Sequence, residues 1–265
     1  MIPSRIRFTM HSVKRLTLVT LGLIAGWLPS APQAIVVRHD RPDVRYRQLG
    51  ERYPAVSSFG RAGAGTLIAA DWVLTAAHVA ASLGPNATIA FGGKRHAIER
   101  VVVHPGWKEM GPKDIAVVRL REAVQGVAPL SIYVGSDEAG RQIVFVGSGG
   151  QGTGLTGPRP PEDGLKRGAT NVVDSVDGDW LYFTFDAPPA GTDLEGISGP
   201  GDSGGPALLE RDGGAAVIGV SVFGEPGAGG RGTYGAKESY TRVSAHAAWI
   251  RSVAPQVQFL AARQP

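Results

Sequence analysis

Short β-branched segments closed by Gly, Pro or Asp recur along this chain and constrain its fold more than any other feature. YPAVSSF (53–59) and TLIAADWVLT (66–75) come first, followed by candidates at 87–91, 98–103, 115–120, 143–146, 181–185, 215–223 and 239–243. Branched and aromatic side chains suit the pleated surface of a sheet, whereas Gly, Pro and Asp punctuate it. The 38 glycines and 19 prolines follow no three-residue period, which excludes a collagen-like rod and assigns them to turns. One helical stretch shows at 244–252, SAHAAWIRS, where Ser244 is placed to cap the first turn. The pattern predicts an all-β chain with a terminal helix and a division between halves near 122–130, REAVQGVAP.

The first 34 residues read differently. Residues 1–15 are basic, residues 16–28 (LTLVTLGLIAGWL) are apolar and uncharged, and PSAPQA follows. That order is the pattern of a secretory signal peptide, and the apolar run falls short of the roughly 20 residues that span a bilayer. Residues 1–34 are therefore expected to be removed, with Met10 as an alternative start. Cleavage after Ala34 leaves Ile35-Val36 at the new terminus; cleavage after Ala31 is the competing site. The mature protein is expected to be secreted, periplasmic or extracellular, and free of the membrane.

Charge and cysteine content exclude further classes. The formal net charge of +4 is carried entirely by Arg5, Arg7, Lys14 and Arg15, so residues 35–265 sum to zero. A nucleic-acid binder shows a basic excess that this region lacks. The absence of cysteine excludes disulfides, thiol catalysis and cysteine metal sites. No metal and no cofactor is expected.

Three motifs carry chemistry. In GDSGGP (201–206), Ser203 is flanked by Gly201, Asp202, Gly204 and Gly205, a turn that exposes a hydroxyl and brings backbone N–H groups close to a ligand. A serine hydroxyl needs a neighbouring base and donors for the oxyanion that it creates. His78, in VLTAAHVA, is the candidate base. Asp114 opens the alternating segment DIAVVRL, a place from which an acid is carried inward to orient an imidazole. The order is His, then Asp 36 residues on, then Ser 89 residues further. Subtilisins and α/β-hydrolases arrange the same roles differently.

On these motifs the sequence resembles the chymotrypsin/trypsin-like serine proteases over roughly residues 35–252. The resemblance implies two six-stranded antiparallel β-barrels, 35–125 and 126–265, packed together with a short C-terminal helix as one peptidase domain. It implies a secreted serine endopeptidase that works through an acyl-enzyme, with His78 as general base, Asp114 orienting it and Ser203 as nucleophile. The Gly201 and Ser203 N–H groups would form the oxyanion hole, and Asp202 would pair with the ammonium of Ile35. Val37-Arg38 departs from the Gly-Gly that usually follows such a terminus. Protein or peptide substrates, protein inhibitors and a monomeric state are expected. The alternative is a protease-like binding protein with impaired catalysis.

For specificity, Ile197 matches the base of the primary pocket, where trypsin-like members carry aspartate. Ser221, Val222 and Phe223 match the wall that binds substrate backbone, and Glu238 matches the opposite wall. Small or medium apolar side chains before the cut are expected first, a basic residue second. GSGGQGTG (147–154) lacks the Lys-Ser/Thr of a phosphate loop and reads as a surface loop. DSVDGD (174–179) lacks the spacing of a calcium loop and reads as a hairpin turn.

Overall fold

The computed structural model describes residues 35–109, 111–159, 163–211 and 214–262; the expected signal peptide lies outside the described residues. Two barrel-like sheets dominate, as the all-β pattern predicts. The first holds six strands in the order Val56–Ser58, Ala64–Ala69, Trp72–Thr75, Ala116–Leu120, Lys94–Val103, Thr88–Phe91, each pair antiparallel. The second runs Arg167–Val172, Gln142–Gly147, Pro206–Arg211, Gly214–Glu225, Lys237–Arg242, Trp180–Thr184, Ser175–Asp177. Ser131–Tyr133 and Phe259–Leu260 join it by parallel pairing, giving nine strands. The segment 174–179 does turn a hairpin between the last two strands of that series.

Apolar residues bury the two sheets against common ground. Leu67, Val73 and Val117 of the first sheet share one core cluster with Val144, Leu208 and Val217 of the second. A second cluster belongs to the C-terminal half, where Phe183 meets Phe145 and Tyr240 edge-on at centroid distances of 5.0 and 5.2 Å. Such edge-to-face pairs add to the burial of the rings. Between the sheets the chain crosses from Leu120 to Ser131.

The N-terminal segment does not stay with the first sheet. Val36–Val37 is held between two other strands: it pairs in parallel with Gly152 and Thr153 and antiparallel with Gly196 and Ile197. GSGGQGTG is therefore partly a strand, Gln151–Thr153, held from both sides. Helix α1 (Asp43–Glu51) follows and buries Tyr46 and Leu49 against Arg167–Val172. Asp43 in its first turn suits the positive end of the helix dipole and also receives the buried Arg167 guanidinium, Nε to Oδ1 at 2.6 Å. Residues 35–51, grouped by sequence with the first barrel, thus pack on the elements of the second half.

Helix α2 (Ala77–Ala81) follows Trp72–Thr75, and helix α3 (Ala247–Val253) precedes the strand Phe259–Leu260. Ser244 does not cap α3, contrary to expectation. A short 3₁₀ turn, Val243–His246, intervenes, and the Ser244 hydroxyl donates instead to the fully buried Glu138 at 2.9 Å. Arg242 completes that acid's partners with two hydrogen bonds of 2.8 and 2.9 Å. Ile250 is buried in the shared core, and Trp249 lies 4.8 Å from the His104 ring. Among the described residues no helix is long and apolar enough to cross a membrane.

Candidate active site

Three separate segments bring the predicted residues to one seam. Trp72–Thr75 is buried along its whole length and delivers the chain into α2, whose second residue is His78. Asp114 lies just before the buried strand Ala116–Leu120, which is the direct neighbour of Trp72–Thr75 in the sheet. Strand pairing therefore sets the two residues side by side. Asp114 Oδ2 lies 2.7 Å from His78 Nδ1, and Oδ1 accepts the His78 backbone N–H at 2.9 Å. The imidazole is one-third exposed, whereas the Asp114 side chain is 2 % exposed. An acid so placed fixes the ring's orientation and tautomer while leaving the far nitrogen to the site. From the second sheet Thr241 Oγ1 donates to the Asp114 carbonyl at 3.1 Å, which ties this corner across the seam.

Ser203 arrives from the other side. Its carbonyl accepts the Ala64 N–H at 2.7 Å. The next residue, Gly204, has φ +81°, and a Cβ there would lie 2.2 Å from Thr75 Oγ1 and 3.1 Å from the Ala76 nitrogen. Only glycine tolerates both the backbone angle and the approach. Because Ala76 is two residues before His78, this contact presses the serine turn against the start of α2. Ser203 itself stays partly exposed.

The turn is held from within. Asp202 is buried, and its carboxyl accepts N–H groups from Gly199 at 3.0 Å and Gly149 at 3.3 Å. Gly205 N–H donates to the Asp202 carbonyl, and Gly204 N–H donates to the Ser221 carbonyl. Gly201 has φ +96°, a conformation that glycine adopts without strain. Ile35 is buried, and Val36, beside it, pairs with Ile197 on the approach to this turn.

The family model described as Trypsin matches residues 45–250. The chain belongs to the trypsin family of serine endopeptidases. Bovine (Bos taurus) complement C1s subcomponent is 32% identical over 225 residues, covering 71% of this chain and 31% of that protein, so the chain spans about a third of that relative's length. Chymotrypsin-like elastase family member 3B of Macaca mulatta is 31% identical over 228 residues, covering 77% of this chain and 86% of the relative. The solved structure of neuropsin, a serine protease expressed in the limbic system of mouse brain, superposes with a TM-score of 0.62. It covers 77% of this chain and 96% of neuropsin at 18% identity, a likeness of fold.

In this trypsin-family chain a narrow pocket of about 50 Å³ opens beside Ser203. Ser198, Ser221, Val222, Phe223 and Glu238 are among its walls. Ile197 is not among them; it packs with Val36, Phe185 and Ala236 in a small apolar cluster. Phe223 leans edge-on against Trp180 at 5.5 Å. Sequence reasoning missed Ser198, whose hydroxyl donates to Glu238 and lies 3.2 Å from the Ser221 hydroxyl. Burial, and secondarily the nearby Asp202 charge, push the Glu238 carboxyl up to about 8, while its hydrogen bond from Ser198 acts in the opposite sense. The signal that was available is a lone acid, second in KESYTR, in a strand otherwise destined for burial.

Proposed function

We propose that this protein is a secreted serine endopeptidase that hydrolyses peptide bonds of proteins or peptides through an acyl-enzyme. Ser203 Oγ attacks the scissile carbonyl carbon, and its proton passes to the free ring nitrogen of His78. Asp114 holds the ring and stabilises the imidazolium that forms. The Gly201 and Ser203 N–H groups receive the oxyanion. As the tetrahedral species collapses, the C–N bond breaks and the imidazolium returns the proton to the leaving amine. Water then repeats the sequence on the ester and frees Ser203. The observation that carries the reading is that Asp114 accepts the His78 backbone N–H and faces its ring Nδ1 at 2.7 Å, with the Ser203 turn packed against the strand end that precedes α2.

Release of residues 1–34 would leave Ile35 as the first residue. Its burial, and the pairing of Val36–Val37 from both sides, support docking of the new ammonium toward Asp202. Arg38, where a glycine usually stands, anchors the segment through its side chain: the guanidinium bonds Asp40 and the Thr192 carbonyl.

A serine-directed covalent inhibitor tests the mechanism. It is expected to label the purified mature protein on Ser203 and not to label Ser203→Ala. A folded protein that resists the inhibitor and cleaves no peptide would point instead to a protease-like binding protein. N-terminal sequencing of active protein is expected to read IVVRH; another start would overturn the docking role of Ile35.

A further inference from the structure

Deepening the peptidase reading, on which it rests, we propose that helix α1 and the segment leading into it latch onto residues 192–195, and that Arg41, Arg45, Tyr46 and Asp193 are positioning residues that keep the serine turn in its working form. None of them touches the reacting atoms. They act through the backbone that runs from Glu195 to Ser203.

Two grips make the latch. The first is buried. Tyr46 is fully buried, and its hydroxyl donates to the Glu195 carbonyl at 3.2 Å. The Arg38 N–H shares that carbonyl at 3.2 Å. The second grip is charged and more exposed. Arg41 Nε and Arg45 Nη2 reach the two carboxyl oxygens of Asp193 at 2.9 and 2.5 Å. Arg45 and then Arg41 hold that carboxyl below the usual carboxylate range, so it is charged at neutral pH. The Arg38 guanidinium adds a bond to the Thr192 carbonyl at 2.9 Å. These side-chain bonds join positions 148 to 154 residues apart in sequence.

The latched turn needs an outside hold. The Thr192 N–H and hydroxyl both donate to Glu195 Oε2, at 2.7 and 2.6 Å, and fold residues 192–195 over a carboxyl that is 1 % exposed. Burial pushes that carboxyl up to about 7, a cost that the turn's own bonds offset only in part. On its far side the turn is tied to the strand Arg167–Val172, where the Thr170 N–H donates to the Leu194 carbonyl at 2.8 Å. Helix α1 rests on the same strand, with Gly50 against the Arg167 backbone. The latch therefore closes a frame whose three sides are α1, that strand and residues 192–195.

A short, bonded stretch of chain carries the hold to the site. Gly196–Ile197 pairs with Val36–Val37, and Asn171 Nδ2 donates to the Gly196 carbonyl at 3.1 Å. Gly199 N–H then donates to the Asp202 carboxyl, and the Gly199 carbonyl accepts the Asp202 N–H, each at 3.0 Å. Asp202 stands between Gly201 and Ser203, the two N–H donors of the peptidase reading. Ser198 and Gly199 also line the pocket beside Ser203, so an unlatched chain loses the substrate's seat together with the donors. Substrate then binds the latched form alone. KM rises as the latched fraction falls, while kcat of the bound enzyme is kept.

Amide hydrogen exchange and steady-state kinetics test the latch from two sides. Exchange across residues 192–197 is followed in the Ser203→Ala protein, where no turnover is needed. Tyr46→Phe keeps the ring and removes the donor, and should speed that exchange about two- to tenfold. Asp193→Lys turns two attractions into two repulsions and should speed it at least about threefold. Adding Arg41→Glu and Arg45→Glu to Asp193→Lys reverses both sides of the pair and should bring exchange back to within about twofold of the parent. In the active protein, Tyr46→Phe combined with Asp193→Lys should raise KM about fivefold or more with kcat held within about twofold. Should Tyr46→Phe fail to fold, the exposed Asp193→Lys and its charge swap decide alone. Unchanged exchange in folded Tyr46→Phe and Asp193→Lys, or a charge swap that restores nothing, would overturn the proposal. So would faster exchange with KM and kcat both unchanged, or a fall in kcat at constant KM. A wild-type protein that turns over no peptide would sink the peptidase reading, while the exchange measurements still judge the latch.

Discussion

Asp114 and Glu238 are acids buried to a similar depth, one beside the first sheet and one within the second, yet their surroundings differ in kind. Asp114 receives a backbone N–H and faces an imidazole ring nitrogen, so the fold has supplied its partners in advance. Glu238 receives the Ser198 hydroxyl and, among the described residues, no cation, so burial raises its carboxyl. Glu138 marks a third case: fully buried, it is matched by Arg242 and Ser244. Burial alone therefore does not decide what an acid does. The difference lies in whether the nearest donors are strong, weak or absent.

The comparison breaks first at catalysis. Asp114→Asn keeps the shape and loses the acceptor that fixes the His78 tautomer, so kcat should fall about 10⁴-fold with peptide substrates, the cost of the same change in other serine-protease triads. Ser203→Ala should cost at least as much. An Asp114→Asn enzyme within tenfold of wild type would mean that Asp114 is no different in kind from Glu138.

Removing the partner of a structural acid comes next. Arg242→Met leaves Glu138 buried with the Ser244 hydroxyl alone, and should lower the free energy of unfolding by about 3–5 kcal/mol in urea titrations. A loss below about 1 kcal/mol would show that water reaches Glu138 after all.

Gly204→Ala tests the seam between the two regions. Its φ of +81° and the 2.2 Å approach to Thr75 Oγ1 make any Cβ strained, so stability should fall by more than about 2 kcal/mol. Inhibitor labelling of Ser203 should slow in parallel, as the turn is pushed away from α2. Unchanged labelling in a destabilised variant would separate the packing from the site.

The pH-dependent effect, at most about 1.4 kcal/mol at each pH step, is the most diagnostic for Glu238. Its carboxyl is raised from 4.5 to about 8, so between those values the folded state holds a proton that the unfolded chain has released. Stability must then fall as pH rises through that window, by at most about 1.4 kcal/mol per pH unit. Glu238→Gln removes this slope, so its melting temperature relative to wild type should climb from about pH 5 to about pH 8. Parallel curves would mean that Glu238 is already ionised and paired.

Much of the site was legible because its motifs are local. GDSGGP announces a glycine-bound turn around Ser203, and the pairing of Asp114 with His78 follows from two adjacent strands that are both apolar runs. Helix α1 was illegible for the opposite reason. DVRYRQLGE is mostly polar, and its claim to structure is two buried side chains, Tyr46 and Leu49, and the close passage of Gly50 over the Arg167 backbone. Ser244 misled because a cap is a local signal, while the buried Glu138, 106 residues away in sequence, outbid it for the hydroxyl. The strand Gln151–Thr153 was hidden by its polar and glycine residues: it exists because Val36–Val37 and Gly157–Arg159 pair with it, not because its own residues favour a sheet.

The order and spacing of three short motifs, together with strand-length apolar runs, determined the family and the all-β class and singled out His78, Asp114 and Ser203 as candidates, since these depend on neighbours a few residues apart. The tertiary structure decided where the N-terminal segment packs, which acid meets which donor, and that Glu238 rather than Ile197 faces the pocket. Those outcomes depend on desolvation and on partners brought from 40 residues away or more, as Ser198 is brought to Glu238, and no local pattern records them.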